Sequence, residues 1–99
     1  MYSEEKLREY LDEVTDPELG IGIVELGLIR TISIIFDGNV PEETKIVMTL
    51  TTPMCPYADV IIEQVETTIA VNGFGVPNVE VSFDPPWEAT SQLRAILGV

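Results

Sequence analysis

The one cysteine of the chain, Cys55, lies in the run Thr49-Leu50-Thr51-Thr52-Pro53-Met54-Cys55-Pro56, where an alternating strand pattern gives way to helical spacing. A chain turning from strand into helix leaves N–H groups unpaired at the helix start, and proline suits the first helical position because its missing donor is no loss there. That places Pro56 at the first turn and Cys55 at the N-cap, with Thr52 and Pro53 completing a cysteine loop. A thiol at a helix N-terminus feels the positive end of the macrodipole, which favours the thiolate, the form that binds metals and attacks electrophiles. A lone cysteine also serves as a small buried hydrophobe, and the local context leaves both readings open.

The remaining composition narrows the chemistry. The chain has no histidine, so the commonest general base and the commonest metal ligand are both missing. Histidine-assisted Ser or Cys catalysis and His-containing zinc sites are excluded within one chain. Seventeen acidic residues against five basic ones give a net charge of −12, which argues against nucleic-acid and anionic-membrane partners, since both need clustered Lys and Arg. A solvated, soluble surface accounts for the same charge. Ninety-nine residues with 45% hydrophobic content make one domain, residues 1–99, able to bury roughly 65% of its unfolded surface. One cysteine permits no internal disulfide. With no basic-plus-apolar leader and no apolar run near the ~20 residues of a membrane span, the expected location is the cytoplasm.

The elements that must position Cys55 follow from periodicity. Ser3 caps a helix in which Leu7, Tyr10, Leu11 and Val14 share a face and Glu4 and Glu5 occupy the first turn; it ends before Asp16-Pro17. After a glycine-containing stretch from Leu19 to Gly27, Leu28, Ile32, Ile34 and Phe36 share one face of a strand, with Arg30 as the exception. Asp37-Gly38-Asn39 starts a turn. A second strand from Thr44 to Thr51 puts Ile46, Met48 and Leu50 on one face, and the two strands pair as an antiparallel hairpin. Ala58, Ile61, Ile62, Val65 and Ile69 stripe a helix that Asn72-Gly73 stops. A third strand alternates Val79, Val81 and Phe83, Asp84-Pro85-Pro86-Trp87 breaks regular structure, and a short helix carries Leu93, Ile96 and Leu97. The order α-β-β-α-β-α predicts a two-layer α+β sandwich, a small sheet covered on one face by helices. The pattern does not fix whether the third strand lies beside the first or the second.

Two segments read as local structure. Gly20-Ile21-Gly22 lacks the preceding strand and third glycine of a dinucleotide fingerprint, so it is expected to be a tight turn. Pro85-Pro86-Trp87 either docks a partner or, as the simpler reading, is a rigid turn that tucks Trp87 against the core.

Taken together, Asp16-Pro17-Glu18, Ile23-Val24-Glu25-Leu26-Gly27-Leu28, the Thr49 to Pro56 run, and Val79 to Trp87 ending in Asp-Pro-Pro-Trp resemble the small iron–sulfur assembly domain of SufT and PaaD. A similar domain stands at the N-terminus of some Mrp-type ATPases. The resemblance implies an α+β fold that brings the cysteine loop close to the Asp-Pro-Glu turn, and a role in maturing iron–sulfur proteins. By motif match it implies that Asp16 and Glu18 form the supporting acidic turn and that Cys55 is the functional thiol. It further implies scaffold or client proteins as partners. The chain carries neither the cysteine-rich extension associated with PaaD nor a P-loop, so a stand-alone domain is expected. After Trp87 it reads Glu88-Ala89-Thr90-Ser91-Gln92, which departs from the usual methionine-containing pattern.

A conventional cluster takes four cysteine ligands and this chain offers one. No tightly bound cofactor is expected. A cluster would be transient or shared, across a homodimer or with a partner that supplies the other ligands. A mononuclear metal on Cys55, Asp16 and Glu18 would be incomplete without water or a partner. The same residues argue against a strongly activated thiol. A helix N-terminus is worth about 0.3–1 kcal/mol, whereas a carboxylate about 6 Å away opposes ionisation by roughly 2–3 kcal/mol at an effective dielectric near 20. A thiol beside carboxylates deprotonates most readily when a cation arrives. The expected role is therefore a non-enzymatic accessory factor. The alternatives are a thiol-dependent transferase or redox factor using Cys55, and a pure interaction module whose cysteine is structural.

Overall fold

The computed structural model describes residues 2–17, 19–51, 56–88 and 95. Its elements are α1 (Glu4–Leu11), β1 (Ile29–Asp37), β2 (Val40–Met48), α2 (Ala58–Val71) and β3 (Val76–Val81). The expected two-layer α+β arrangement is present. The expected last helix, with Leu93, Ile96 and Leu97, falls outside the described residues.

Local signals set the first helix. The Ser3 hydroxyl accepts from the Lys6 N–H at 3.1 Å, and Glu4 and Glu5 sit where the N-terminal dipole favours negative charge. The helix ends at Leu11, earlier than the apolar spacing suggests, yet Val14 beyond it is still buried.

The sheet order is β1-β2-β3, with β1 and β2 antiparallel and β2 and β3 parallel. Sequence left the place of β3 open; the structure puts it beside β2. Parallel neighbours need a crossover rather than a tight turn, and α2 supplies it, packing back on β3. The hairpin turn is Gly38-Asn39, with Gly38 at φ +66°, the left-handed first position that a type II′ turn assigns to glycine.

Here β2 begins at Val40, not at Thr44 as the sequence suggests. Pro41, Glu42 and Glu43 are weak strand formers, but β3 reaches only as far as Glu43. At Pro41 the strand has one neighbour, so the missing N–H costs no ladder bond on the other side. The register also shifts there: Ile35 faces Glu43 and Phe36 faces Pro41, leaving Glu42 as the extra residue of a bulge. Gly75, at φ +82°, packs directly on that bulge, and a Cβ there would lie 2.5 Å from the Glu42 carbonyl carbon.

A second shift explains Arg30. Ile29 faces Met48 and Thr31 faces Val47, so Arg30 is the unpaired residue and drops out of the alternation. Leu28 and Ile29 are consequently both buried. Phe36 and Phe83, expected on the covered face, are instead partly exposed, because each lies at or past the end of strand pairing.

The core lies between the helices and one face of the sheet. Leu7 and Leu11 of α1 and Ile61, Val65 and Ile69 of α2 meet Ile46 and Met48 of β2, all fully buried. Phe74 closes one end, edge-on to Tyr2 and Tyr10 with ring centres 5.4 and 6.4 Å away. Thr44 is also fully buried, and its hydroxyl donates to the Phe74 carbonyl at 2.7 Å, fastening β2 to the segment between α2 and β3. Replacing it with the isosteric Val removes the donor and leaves that carbonyl without this partner. Thr44→Val is expected to lower stability by about 1–2 kcal/mol, read as a reduced urea midpoint; an unchanged midpoint would show that the bond adds nothing net.

Candidate functional site

The chain between α1 and β1 is an ordered double turn rather than a loose loop. At its start the Asp16 carboxylate accepts from the Leu19 N–H at 3.2 Å, and the Asp16 carbonyl accepts from the Gly20 N–H at 2.7 Å. The Asp16 N–H donates to the Ile21 carbonyl at 3.0 Å, and Thr15 bridges Gly22. Gly20, at φ +69°, makes the reversal, so Gly20-Ile21-Gly22 is the tight turn expected. Gly22 has a different reason to be glycine: a Cβ there would lie 2.5 Å from the Asp12 carbonyl oxygen. From Gly22 onward a second turn buries Ile23 and Leu26, and Asp12 Oδ1 caps it by accepting from the Glu25 N–H at 3.1 Å.

Asp16 itself is only 2% exposed. The acidic turn is therefore part of the folded framework as well as a candidate site. Burial with a local acceptor role is the outcome of an Asx-type turn before proline.

Three motif segments converge on one end of the sheet. The Thr49 N–H donates to the Leu28 carbonyl at 2.8 Å, so the chain entering the cysteine loop is bonded to the chain leaving the acidic turn. Thr49 and Leu50 are buried there and Thr51 is half-buried. The Ser82 N–H donates to the Met48 carbonyl at 2.8 Å, carrying the end of β3 alongside. From there the Asp84–Trp87 segment folds back: the Trp87 indole N–H donates to the Leu26 carbonyl at 2.6 Å, and the Arg30 guanidinium donates to the Pro85 carbonyl. Trp87 is half-buried against the core, as the rigid-turn reading expects. Arg30 Nε is buried without a partner in this joint. The Arg30–Pro85 pair was not legible in advance, although a cation interrupting an apolar strand face was its signal.

On the far side of the cysteine loop, Pro56 is exposed and α2 begins at Ala58. Tyr57, not Cys55, holds the N-cap position, and its side chain makes no capping bond. The later start puts Asp59 in the first helical turn, where the dipole favours a carboxylate. Cys55, Thr52 and Pro53 of the cysteine loop, and Glu18 of the acidic turn, lie outside the described residues.

The sequence profile of the family described as "Iron-sulfur cluster assembly protein" matches residues 4–83. The chain belongs to this family. Among characterised relatives, it is 38% identical to the Fe-S protein maturation auxiliary factor YitW of Bacillus subtilis, over 92% of this chain and 90% of that one. It is 39% identical to the Fe-S protein maturation auxiliary factor SufT of Staphylococcus aureus, over 75% and 81%. The SufT-like identification from sequence therefore stands. In three dimensions it is similar to a domain of unknown function from Bacillus anthracis, with a TM-score of 0.81 and 34% identity over 97% of this chain and 92% of that one. A conserved hypothetical protein of Thermotoga maritima gives a TM-score of 0.77 and 38% identity, covering 99% and 96%.

The geometry of Asp16 separates its framework role from the chemistry of its charge. Asp16→Ala removes the acceptor of the Leu19 N–H and is expected to lower stability by about 1–2 kcal/mol, whereas Asp16→Asn keeps an oxygen at that position and loses less. Chemical denaturation of both variants measures this. Equal losses would mean that the negative charge, rather than the turn bond, holds the loop.

Proposed function

We propose that the protein is a non-enzymatic accessory factor that assists iron–sulfur cluster assembly, transfer or insertion into client proteins, acting through the Cys55 thiol and through protein contacts. The observation that carries this reading is the family match across residues 4–83, joined to relatives that are themselves named Fe-S protein maturation auxiliary factors. The described site agrees with such a role. The acidic turn, the approach to the cysteine loop and the Trp87 segment are fastened to one another by backbone and indole hydrogen bonds, so the chain entering the cysteine loop leaves a fixed platform. Fixed stems lower the ordering cost of meeting a partner, which suits transient docking.

One thiol per chain sets the chemistry. The cluster is cargo, and Cys55 supplies one of the ligands it needs while the scaffold, the client or a second copy supplies the rest. A carboxylate beside the thiol, as the family resemblance implies for the acidic turn, would raise the cost of a free thiolate and lower it once a cation is present, which favours handling of metal or cluster over attack on a carbon electrophile. Partners are assembly scaffold or client proteins. No helix among the described residues is long and apolar enough to cross a membrane.

Anaerobic reconstitution with iron and sulfide tests the reading. The isolated monomer is expected to stay colourless and to hold iron weakly, with cluster absorption appearing only in a dimer or in a complex with a thiol-bearing partner. Stoichiometric cluster in a strictly monomeric sample without added thiol would overturn it. In cells, Cys55→Ser is expected to leave the melting temperature nearly unchanged and to reduce the activity of iron–sulfur enzymes. A stable variant with full client activity would return Cys55 to a packing role.

A further inference from the structure

The Asp84–Trp87 segment is held to the sheet by bonds that run in both directions. Arg30, a side chain of β1, donates to the Pro85 carbonyl of the segment, and Trp87, a side chain of the segment, donates to the Leu26 carbonyl ahead of β1 at 2.6 Å. Ser82 makes a further tie at the start of the segment. Its N–H donates to the Met48 carbonyl at 2.8 Å, and its hydroxyl accepts from the Asp84 N–H at 3.4 Å. The sheet order β1-β2-β3 then says where this strap runs: it passes from the β3 side of the sheet to the β1 side, across the end of β2. The chain that leaves β2 there is the stem of the cysteine loop. In that stem Thr49 and Leu50 are buried, and the Thr49 N–H is bonded to Leu28 on the chain that the strap grips.

Arg30 is the one member of this joint that stability alone does not explain. Lys6 and Arg8 each face a glutamate, at 3.5 and 3.3 Å, on the surface of α1. Arg30 instead spends its charge on a neutral carbonyl, and its Nε is buried with no partner among the described residues. In a chain with seventeen acidic residues this is a costly use of a cation, since a buried donor left unpaired loses its hydration without return. Its position accounts for it. Arg30 is the extra residue between the Ile29–Met48 and Thr31–Val47 pairs, and a bulge re-aims a side chain that strict alternation would send to one face of the sheet. The planar guanidinium then fixes a direction toward the strap that a single ammonium would not.

We propose that Arg30 is a positioning residue for the cysteine loop: by gripping Pro85 it holds the Asp84–Trp87 strap across the end of β2, and the strap fixes the stem from which Cys55 is presented. The inference rests on the proposed role of Cys55 in iron–sulfur maturation and names what aims that thiol. Arg30 acts through the strap and needs no contact with cargo.

The chain has one cysteine and one tryptophan, so alkylation by iodoacetamide reads the cysteine loop and Trp87 emission reads the strap, both in the native protein. Arg30→Met keeps the apolar stem and removes the donors. It is expected to shift the emission to the red and to raise the alkylation rate about threefold or more, toward that of a free cysteine. Arg30→Lys, which keeps a donor, is expected to recover most of both signals. Thr44→Val weakens β2 away from the strap and is expected to leave both signals unchanged while lowering the urea midpoint. Red-shifted emission with an unchanged rate would overturn the proposal, because the strap would then move without the loop. So would no change in either signal, and so would equal acceleration by Thr44→Val, which would mean that stability alone sets the rate. If Arg30→Met does not fold, Trp87→Phe releases the other end of the strap and is expected to raise the rate; an unchanged rate there overturns the proposal. Client activity in cells separates this inference from the function beneath it. Loss in Arg30→Met that Arg30→Lys recovers, together with loss in Cys55→Ser, supports the positioning role. Loss only in Cys55→Ser overturns that role and leaves the function standing, and loss in neither removes the function itself.

Discussion

The bond from the Thr49 N–H to the Leu28 carbonyl fixes the relation between the chain leaving the Asp16 turn and the chain entering the cysteine loop. It extends the hairpin beyond the last paired residues of β1 and β2, so the chain leaving the acidic turn and the chain entering the cysteine loop run side by side. Both residues are fully buried, where an unmade backbone bond costs about 1–3 kcal/mol. The order of the sheet then adds the third segment. Because β3 lies parallel to β2, its end emerges at the same edge as the end of β2, and Ser82 bonds Met48 there. A β3 placed beside β1 would have carried the Trp87 segment away from the cysteine loop.

Packing and hydrogen bonding divide the work. Aliphatic side chains of both helices fill the space over β2 and hold the layers together. Specific bonds then lock the loops at the working end: Trp87 to Leu26, Arg30 to Pro85 and Asp16 to Leu19. Each joins a polar group to a backbone atom, which fixes position in a way that apolar contact does not. The pattern suits a protein that must present loops to partners without a large closing motion, since preorganised loops lose less entropy on contact.

Much of the fold was legible because it rests on period. Leu7 and Leu11, the stripe Ile61, Val65 and Ile69, and the alternation Ile46, Met48 and Leu50 announce themselves at 3.6 and 2 residues. The departures share a cause: they occur where the period is broken by one residue. Arg30 and Glu42 are bulge residues, and a bulge is set by the partner strand, which periodicity within one segment does not contain. The start of α2 was misplaced because Pro56 carries a strong N-terminal signal, while Asp59, placed in the first turn by the later start, competes with it. At the site, the motif spacing identified Asp16 as the acidic turn, but not that its side chain would be buried. That turn is closed by bonds between residues apart in sequence, Asp16 N–H to the Ile21 carbonyl and Ile23 N–H to the Val14 carbonyl, which periodicity does not contain.

The two bulges also bear on how the molecule behaves in a crowded solution. β1 is an edge strand of nine residues with a run of isoleucines, the kind of segment that invites pairing with another chain. Its regular stretch is short, because the register breaks at Arg30 and again between Ile35 and Phe36. The first bulge bends β1 itself and the second, carried by Glu42 of β2, breaks the ladder beside it, so the regular stretch runs only from Thr31 to Ile35. The bulge at Arg30 thus blunts an otherwise regular edge, as bulges on edge strands do.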